Sequence, residues 1–341
     1  MAGATIIVNL SASPAVIGKG TYRRDLVASQ SARLMCGYLY ACACCQESTQ
    51  DLVYAGHNLI AENGIILAES ATMDPDFLVS EIDVRHLITE RTRQSTYCAS
   101  RPERLLELPL DFPLEPTLLT RTIDPHPFVP ADSIGRQSRC EEILSIQAAG
   151  LAKRLDHTQA RTAVVGLSGG LDSTLALLVM ARAADRLEWD RKRLIAVTMP
   201  CYGTTSRTRS NAENMALALG VTFREIPIGQ SVAQHFSDIG LPPDDRSVTY
   251  ENGQARERTQ VLMDIANKTW GMVIGTGDLS ELALGWATYN GDHMSMYGVN
   301  ASVPKTLVRH LVKYAADDTK DEALKNVLYD VLDTPVSPEL L

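Results

Sequence analysis

From residue 161 onward, short apolar runs alternate along the chain with segments whose apolar residues recur at helical spacing. The apolar runs predict strands at 162–167, 194–199, 221–227 and 272–275. The helical spacing predicts helices at 139–155, 173–185, 206–219 and 254–269. Such alternation is typical of a parallel sheet with helices on both faces. We therefore predict an α/β fold with a doubly wound parallel sheet for this part of the chain.

The ligand of a doubly wound sheet usually lies at the carboxyl ends of its strands. Four loops follow the predicted strands at that edge, at 168–173, 200–207, 228–253 and 276–300. We expect these four loops to converge on one site.

The residues before 96 carry a different set of strand and helix patterns. They predict strands at 5–10, 38–45 and 78–83, helices at 23–39 and 84–92, and a β-hairpin at 57–68 with an Asn-Gly turn. Prolines then recur between 102 and 130 without sustained periodicity, which is typical of a linker or an extended wrapping segment. We predict one domain at 1–95, a proline-rich linker at 96–135 and a second domain at 136–341.

The loop at 168–173, called the phosphate loop below, reads Ser-Gly-Gly-Leu-Asp-Ser between a predicted strand and a predicted helix. Adjacent glycines allow positive φ and let N–H groups face one concavity, while a helix N-terminus favours an anion. Ser168 and Ser173 add hydroxyl donors. A phosphate would repel Asp172 unless a cation lay between them, so the pattern predicts a phosphate site with Mg²⁺ bridged to Asp172. The alternative is an ordinary turn in which Asp172 caps the helix.

The other three loops also contain polar groups suited to a nucleotide. Small hydroxyl residues precede a helix at 199–206, side-chain amides and two arginines open a helix at 251–258, and carboxylates stand at 278 and 281 before the aromatic Trp286. Taken singly, Asp278 is better explained as a helix cap and Arg256 as a surface charge. Three such loops at consecutive strand ends after a phosphate loop favour a nucleotide site instead.

Composition limits the partners. The chain has 341 residues, a formal net charge of −9 and no cluster of lysine and arginine, which argues against nucleic-acid binding. No apolar run reaches the 18 or so residues that span a bilayer, so a membrane partner is not expected and a cytoplasmic location is the default. The seven cysteines are an odd number, which speaks against a disulfide framework. We predict that Cys36 to Cys45 pack as helix-end and strand residues.

The phosphate loop resembles the pyrophosphate loop of the N-type ATP pyrophosphatases, which cleave ATP to AMP and pyrophosphate. The motifs SGGLDS, ENGQARER and GTGDLSELALGWATYNGD together are similar to those of one family among them, the glutamine-dependent NAD synthetases. The segments RTIDPHPFVP, NLSASPAVIGK and ENGIILAES extend the resemblance towards the N-terminus. The resemblance implies an adenine nucleotide alpha hydrolase-like fold for the second domain and part of a nitrilase-like α/β sandwich for the first.

The resemblance also implies roles for individual residues. Those expected to bind ATP are Gly166, Leu167, Ser168, Gly169, Gly170, Leu171, Asp172, Ser173 and Thr276. Those expected to bind deamido-NAD are Asn252, Glu281, Trp286, Ala287, Thr288 and Tyr289. Mg²⁺ would lie near Asp172 and Glu281, and Lys305 would reach the phosphates, which makes Asp172 and Lys305 the expected catalytic pair. Ser13 and Lys19 match positions that bind glutamine.

The reaction implied by the resemblance is the ATP-dependent amidation of deamido-NAD through an adenylate, with release of AMP and pyrophosphate. Its cofactors would be ATP, as co-substrate, and Mg²⁺, and the full-length family enzyme would be a homo-oligomer that takes ammonia from glutamine. The alternatives are another amidotransferase of the ATP pyrophosphatase type and a non-catalytic nucleotide-binding fragment.

Two departures from the family pattern concern the ends of the chain. The amidases of this family use a Glu-Lys-Cys triad whose cysteine precedes a Glu-Asp pair, and no such segment occurs here. The family also continues beyond the segment 333–338 with a tail that completes the deamido-NAD site. The expectation is a chain truncated at both ends, which would use free ammonia rather than glutamine.

Overall fold

The computed structural model describes residues 3–47, 51–73, 76–97, 106–111, 118–129, 133–202 and 206–334. The chain forms two compact units, Met1–Asp124 and Pro125–Leu341. The boundary between the units falls inside the predicted linker at 96–135. Much of that linker, as well as Cys98 and the segment after 334, lies outside the described residues.

The first unit is a four-stranded sheet with helices. Its elements are β1 (Ile6–Ser11), α1 (Lys19–Leu34), β2 (Gly37–Cys42), β3 (Leu59–Glu62), β4 (Ile65–Glu69) and α2 (Val84–Arg93). The strands lie in the order β1-β2-β3-β4, with β1 and β2 parallel and the other pairs antiparallel. The predicted hairpin is β3 and β4, and its turn residues Asn63 and Gly64 have φ values of 45° and 91°. Positive φ at both turn positions is what a two-residue hairpin loop requires, which explains the Asn-Gly pair.

Three predictions for the first unit are wrong. The helix predicted at 23–39 ends at Leu34, because Met35 adopts a left-handed conformation and caps it. The strand predicted at 38–45 ends at Cys42, so Cys44 and Cys45 are not strand residues, and Cys45 is exposed. No strand forms at 78–83, although every residue there is described.

Side-chain hydrogen bonds take the place of a strand ladder at 78–83. The backbone N–H of Asp83 donates to the Glu62 carboxylate at 2.6 Å. The Glu81 carboxylate accepts from the backbone N–H groups of Thr120 at 2.7 Å and Arg121 at 2.9 Å. The Arg121 guanidinium in turn binds Glu62 through both carboxylate oxygens, at 3.0 and 2.9 Å. Part of the predicted linker is therefore anchored to the first unit.

The second unit contains the predicted parallel sheet. Its strands are β5 (Thr162–Gly166), β6 (Leu194–Thr198), β7 (Thr222–Glu225), β8 (Gly271–Gly275) and β9 (Tyr297–Gly298). Its helices are α3 (Ser133–His157), α4 (Leu171–Arg186), α5 (Ser206–Ala218), α6 (Gly229–Asp238), α7 (Val248–Thr269), α8 (Leu279–Leu284), α9 (Lys305–Asp318) and α10 (Glu322–Asp333). The strand order is β7-β6-β5-β8-β9 and every pair is parallel.

The chain winds in both directions from β5. It first adds β6 and β7 on one side and then β8 and β9 on the other, so β5 is the strand at which the order reverses. Such a switch point leaves a crevice at the carboxyl ends of the strands. The phosphate loop follows β5 directly and therefore begins at this crevice.

Apolar side chains fill both faces of the sheet. Ala163 and Val165 of β5 belong to one buried cluster, and Val164 belongs to another that includes Val232 of α6 and Ile265 of α7. Neighbouring strand residues point to opposite faces, so helices cover the sheet on both sides. The predicted doubly wound α/β fold is confirmed. In the described part of the chain, the helices are all too short or too polar to cross a bilayer.

The segments 228–253 and 276–300 were predicted as loops, but both contain regular secondary structure. The first contains all of α6 and the start of α7, which begins at Val248 rather than at 254. The second contains α8 and β9. The helix predicted at 139–155 is longer than expected and starts at Ser133. Helices α9 and α10 follow the predicted region.

Candidate functional site

The phosphate loop has a conformation that only glycine fits at its second position. Gly169 has a φ of 83°, and a Cβ there would clash with the backbone carbonyl of Thr208 at the start of α5. The hydroxyls of Ser168 and Ser173 lie 3.1 Å apart, and Ser173 also donates to the Gly170 carbonyl at 3.1 Å. These hydroxyls, predicted to donate to a ligand, also form hydrogen bonds within the loop that hold its shape.

Helix α4 begins at the end of the phosphate loop without a side-chain cap. Its cap residue is Gly170, and no side chain in the described part of the chain accepts a capping hydrogen bond there. The alternative in which Asp172 caps the helix is therefore wrong. A helix of four turns with an uncapped N-terminus presents backbone donors and a partial positive charge to an anion.

Asp172 belongs to a group of three carboxylates, called the acidic cluster below, with Asp278 and Glu281. One oxygen from each lies within 4.8 Å of the others. Asp172 is in the first turn of α4, whereas the other two form a capping box on α8. In that box the Glu281 N–H donates to Asp278 Oδ1 at 2.9 Å, and the Asp278 N–H donates to Glu281 Oε2 at 3.1 Å.

Lys305 brings a positive charge into the acidic cluster. It is the first residue of α9, and its backbone N–H donates to Ser280 Oγ at 3.0 Å. Its ammonium forms an ion pair with Asp172 Oδ2 and lies 3.5 Å from Asp278 Oδ2 and 4.0 Å from Glu281 Oε1. The predicted catalytic pair, Asp172 and Lys305, is in direct contact.

The charges of the acidic cluster disfavour one another. Two like charges 4 Å apart repel by about 4 kcal/mol at an effective dielectric constant of about 20. Burial raises the pKa of Asp172, despite the hydrogen bond from Lys305. Burial and the charges of Asp172 and Asp278 raise the pKa of Glu281. Burial opposes the charge of Lys305, but the hydrogen bond and attraction of Asp172 outweigh it and raise the pKa of Lys305.

Two oxygens of the acidic cluster, Asp172 Oδ1 and Asp278 Oδ2, are buried and accept no hydrogen bond from any residue that the structure describes. Asp278 is fully buried. A buried carboxylate oxygen without a hydrogen bond is costly, and Mg²⁺ binds preferentially to carboxylate oxygens. The donor set of the acidic cluster therefore fits Mg²⁺. Sequence reasoning placed Asp278 at this strand end but assigned it no role in the site.

Asn300 joins the phosphate loop to the loop after β8. This fully buried residue donates from its side-chain amide to the backbone carbonyls of Asp172 and Thr276, both at 3.0 Å. Gln147 of α3 supports it by donating to Asn300 Oδ1 at 3.3 Å. Sequence reasoning missed both residues, since an asparagine and a glutamine in unremarkable contexts give no signal.

The remaining residues predicted to bind ATP lie at or near the end of β5. Leu167 is buried in the core, so only its backbone faces the loop. Leu171 packs against the core at the start of α4. Gly166 ends β5, where a Cβ would come within 3.2 Å of a Leu262 methyl.

The segment 286–289, predicted to bind deamido-NAD, lies beyond α8 and is held against α7. Trp286 is 79% exposed, so it is not a core residue. The Arg256 guanidinium donates to the Tyr289 carbonyl at 3.3 and 3.1 Å, and so is not merely a solvated charge. The Thr288 hydroxyl donates to Asp292 at 3.2 Å. Ala287 lies between these anchors. Asn252 is a residue of α7 itself rather than of a loop.

In the first unit, the predicted glutamine-binding residue Ser13 begins a chain of hydrogen bonds. Arg23, which is buried, donates to Ser13 Oγ at 3.1 Å and to His57 Nδ1 at 3.0 Å. Because arginine only donates, His57 carries its proton on Nε2 and donates it to Glu69 at 2.9 Å. Burial would raise the pKa of Glu69, but hydrogen bonds from Arg24 and His57 lower it.

A cavity of about 440 Å³ lies beside these residues. Gly18, Gly20 and Arg23 line it together with the apolar segment at 15–17. Lys19, the other predicted glutamine-binding residue, starts α1 between the two glycines. The structure thus places Ser13 and Lys19 close to one cavity of the first unit, whose lining is mainly apolar and includes the Arg23 side chain.

The second unit has a parallel sheet, a glycine-containing anion loop at its switch point and carboxylates beside that loop. These features define an α/β protein with an adenine nucleotide alpha hydrolase-like fold. The sequence profile described as NAD synthase matches residues 143–329. The chain belongs to the NAD synthase family.

The names of similar proteins are consistent with this family. The glutamine-dependent NAD(+) synthetase of Mycobacterium leprae is 44% identical and matches 100% of this chain and 52% of its own length. That of Mycobacterium tuberculosis (strain ATCC 25618 / H37Rv) is 43% identical, with 100% and 53% covered. The structure of glutamine-dependent NAD+ synthetase from Acinetobacter baumannii in complex with ADP has a TM-score of 0.51 and 25% identity, covering 96% of this chain and 55% of that one. The chain thus spans about half the length of the curated relatives it matches.

Proposed function

We propose that this chain catalyses the ATP-dependent amidation of deamido-NAD to NAD, with release of AMP and pyrophosphate. The observation that carries the proposal is the acidic cluster beside the uncapped N-terminus of α4, with two buried carboxylate oxygens that accept no hydrogen bond. The N-terminus of α4 would attract the phosphates of ATP, and the adjacent acidic cluster would attract the divalent cation bound to them. The names of the relatives point to NAD as the product, and the resemblance of the sequence motifs implies deamido-NAD as the acceptor.

In this proposal the phosphate loop and the N-terminus of α4 bind the phosphates of ATP. Asp172 and Glu281 hold Mg²⁺, which when bound would neutralise negative charge on the pyrophosphate leaving group. Lys305 reaches the phosphates from the start of α9. Asn300 holds the phosphate loop and the loop after β8 at a fixed distance from each other, because its side-chain amide donates a hydrogen bond to one backbone carbonyl of each loop.

The acceptor side of the site holds the nicotinate carboxylate against the α-phosphorus. A carboxylate oxygen forms a bond to that phosphorus while the bond to pyrophosphate breaks, which gives an adenylate. Ammonia then attacks the acyl carbon, AMP leaves with the bonding electrons, and the nitrogen loses its surplus proton. Trp286 and the residues up to Tyr289, together with Asn252 and Glu281, would bind deamido-NAD, with the indole stacking on a flat ring.

The first unit would hold glutamine through Ser13 and Lys19 in the whole enzyme, where the amide of glutamine supplies the ammonia. None of the seven cysteines of this chain stands in the Cys-Glu-Asp context that the amidase reaction uses. We therefore propose that this chain, assayed alone, uses ammonium but not glutamine. We further propose that the protein acts in the cytoplasm and forms a homo-oligomer. A second copy would cover the exposed apolar side chains of Leu282 and Leu284 on α8.

The test supplies ATP, Mg²⁺ and deamido-NAD with either ammonium or glutamine, and measures NAD, pyrophosphate and glutamate. NAD and pyrophosphate in equal amounts with ammonium, and no glutamate from glutamine, are the expected results. Pyrophosphate released with XMP but not with deamido-NAD would indicate another amidotransferase. ATP binding without pyrophosphate release at saturating substrates would indicate a nucleotide-binding module and refute the proposal.

A further inference from the structure

The Lys305 ammonium occupies the space among the three carboxylates of the acidic cluster. It is hydrogen-bonded to Asp172 and lies within 4.0 Å of an oxygen of Asp278 and of Glu281. Mg²⁺ takes its oxygen ligands at about 2.0–2.1 Å. An ammonium and a metal ion that both contacted these carboxylates would lie close together and repel each other. Entry of one cation therefore favours departure of the other.

Lys305 and Asp278 differ in their freedom to move. The Lys305 side chain is 37% exposed, so it can swing out without unpacking the core. Asp278 is fully buried, and its Oδ1 is fixed by the backbone N–H of Glu281. Its other oxygen, Oδ2, is buried, and within the described ranges it has no hydrogen bond and one ion-pair partner, the ammonium at 3.5 Å. Asp278 is therefore an immobile ligand with one oxygen available.

We propose that the Lys305 ammonium holds the place of the divalent cation in the unliganded protein, and that the metal displaces it and binds Asp278 as a third carboxylate beside Asp172 and Glu281. This inference rests on the proposed function for the identity of the site, but it makes a separate claim about how the cation enters.

The charges support an exchange rather than simple addition. With its three carboxylates ionised and one ammonium, the acidic cluster has a net charge of −2, so it still attracts a divalent cation while Lys305 is present. Entry of the metal frees Lys305 at the N-terminal end of α9 to bind the anionic phosphates instead. The same residue thereby keeps the acidic cluster folded without a ligand and contributes a cation once the nucleotide is bound.

The exchange predicts that Lys305 competes with the metal. The probe is Mn²⁺ without nucleotide, with free Mn²⁺ measured by electron paramagnetic resonance. Lys305→Met should bind Mn²⁺ at least about tenfold more tightly than the wild-type chain, because the competing charge is gone. Adding Asp278→Asn to that variant should weaken binding by about 10- to 100-fold. Lys313→Met is the matched control, since it removes an exposed lysine–carboxylate pair from the same helix.

A second measurement on the wild-type chain keeps the proposal testable if Lys305→Met does not fold. Lysine acylation mapped by mass spectrometry should show Lys305 becoming more reactive when Mn²⁺ is added, while Lys313 does not change. Unchanged Lys305 reactivity, or a folded Lys305→Met variant that binds Mn²⁺ no more tightly than wild type, would overturn the exchange. So would an Asp278→Asn substitution without effect on Mn²⁺ affinity. Each of these results leaves the NAD and pyrophosphate assay of the wild-type chain to decide the proposed function independently.

Discussion

The buried side chain of Asn300 donates a hydrogen bond to the backbone carbonyl of Asp172, 3.0 Å away and 128 residues earlier in the chain. The second amide hydrogen bonds the Thr276 carbonyl at the same distance. The peptide unit that carries Asp172 is thereby fixed relative to the loop that carries the other two carboxylates of the acidic cluster. The amide of Asn300 therefore helps to set the separation between these carboxylates.

Asn300→Ala should lower the free energy of unfolding by about 1–3 kcal/mol, because it removes both hydrogen bonds that the buried amide donates. The rate of pyrophosphate release should fall as well, since the phosphate loop is no longer fixed relative to the loop after β8. Thermal unfolding followed by circular dichroism, and a pyrophosphate assay, are the measurements. Asn326→Ala on the exposed face of α10 is the control and should change stability by less than about 0.5 kcal/mol. Equal behaviour of the two variants would contradict the role of Asn300.

Gly169→Ala should destabilise the protein and abolish ATP binding. The substitution combines positive φ with a clash against a backbone carbonyl that cannot move aside. Gly220→Ala separates the two effects, because Gly220 has a φ of 71° with no atom near its missing Cβ. That control should cost only about 1–2 kcal/mol, the strain of a left-handed residue, and should retain ATP binding measured by equilibrium dialysis. Full ATP binding by Gly169→Ala would show that the loop does not need its close approach to α5.

The sequence predicted the second unit better than the first because its central strands β5, β6 and β8 are largely buried on both faces. β6 is apolar along nearly its whole length and fully buried, so its signal does not depend on a partner. The segment 78–83 also has a strand-like pattern of apolar and polar residues. It forms no strand, because it is held instead by hydrogen bonds to Glu62, Thr120 and Arg121. α9 carries a clear pattern at 307, 308, 311 and 312, all buried, so its helix was predictable in principle.

The candidate site was predictable only where one loop contains the whole signal. The phosphate loop is such a case, since glycines, hydroxyls and a carboxylate stand within six residues. The contact between Asp172 and Lys305 spans 133 residues, and no local pattern indicates it. The local sequence explains Asp278 as a helix cap, and this is correct for its Oδ1. The local sequence gives no sign that Oδ2 faces the other carboxylates. Tertiary structure decides such cases because a side chain can serve two partners at once.

Trp286→Ala should weaken deamido-NAD binding by about 1–3 kcal/mol, the usual scale for stacking on a base-like ring. Stability should change little, because the side chain is 79% exposed. Trp270→Ala is the control, since Trp270 is similarly exposed at the end of α7, away from the strand carboxyl ends. Titration calorimetry measures the affinity and thermal unfolding the stability. A lower melting temperature with unchanged affinity would refute the stacking role.

Tyr314 should be among the last tyrosines to ionise. Burial and the hydrogen bond to Glu141 raise its pKa to about 12. The folded chain keeps this proton when the unfolded chain has lost it, so the stabilisation is complete below about pH 10 and is lost as the pH rises to about 12. Absorbance at alkaline pH should show one late step that Tyr314→Phe removes. Glu141→Gln should shift that step to lower pH, and Glu142→Gln, on the exposed side of α3, should not.

Asp172→Asn keeps the size of the side chain and removes its charge, so it separates a structural role from a role at the metal. The structure argues against a capping role, because α4 begins at Gly170 without a side-chain cap. If Asp172 holds Mg²⁺, the rate of pyrophosphate release should fall by about 10²- to 10³-fold, as for the loss of one preorganised electrostatic contact. The Mg²⁺ concentration needed for half-maximal rate should also rise. Asp185→Asn, which removes an exposed carboxylate from the far end of the same helix, should change neither quantity. Near-normal turnover of Asp172→Asn with unchanged Mg²⁺ dependence would show that Asp172 is not a metal ligand. Its ion pair with Lys305 would then be the role that the structure supports.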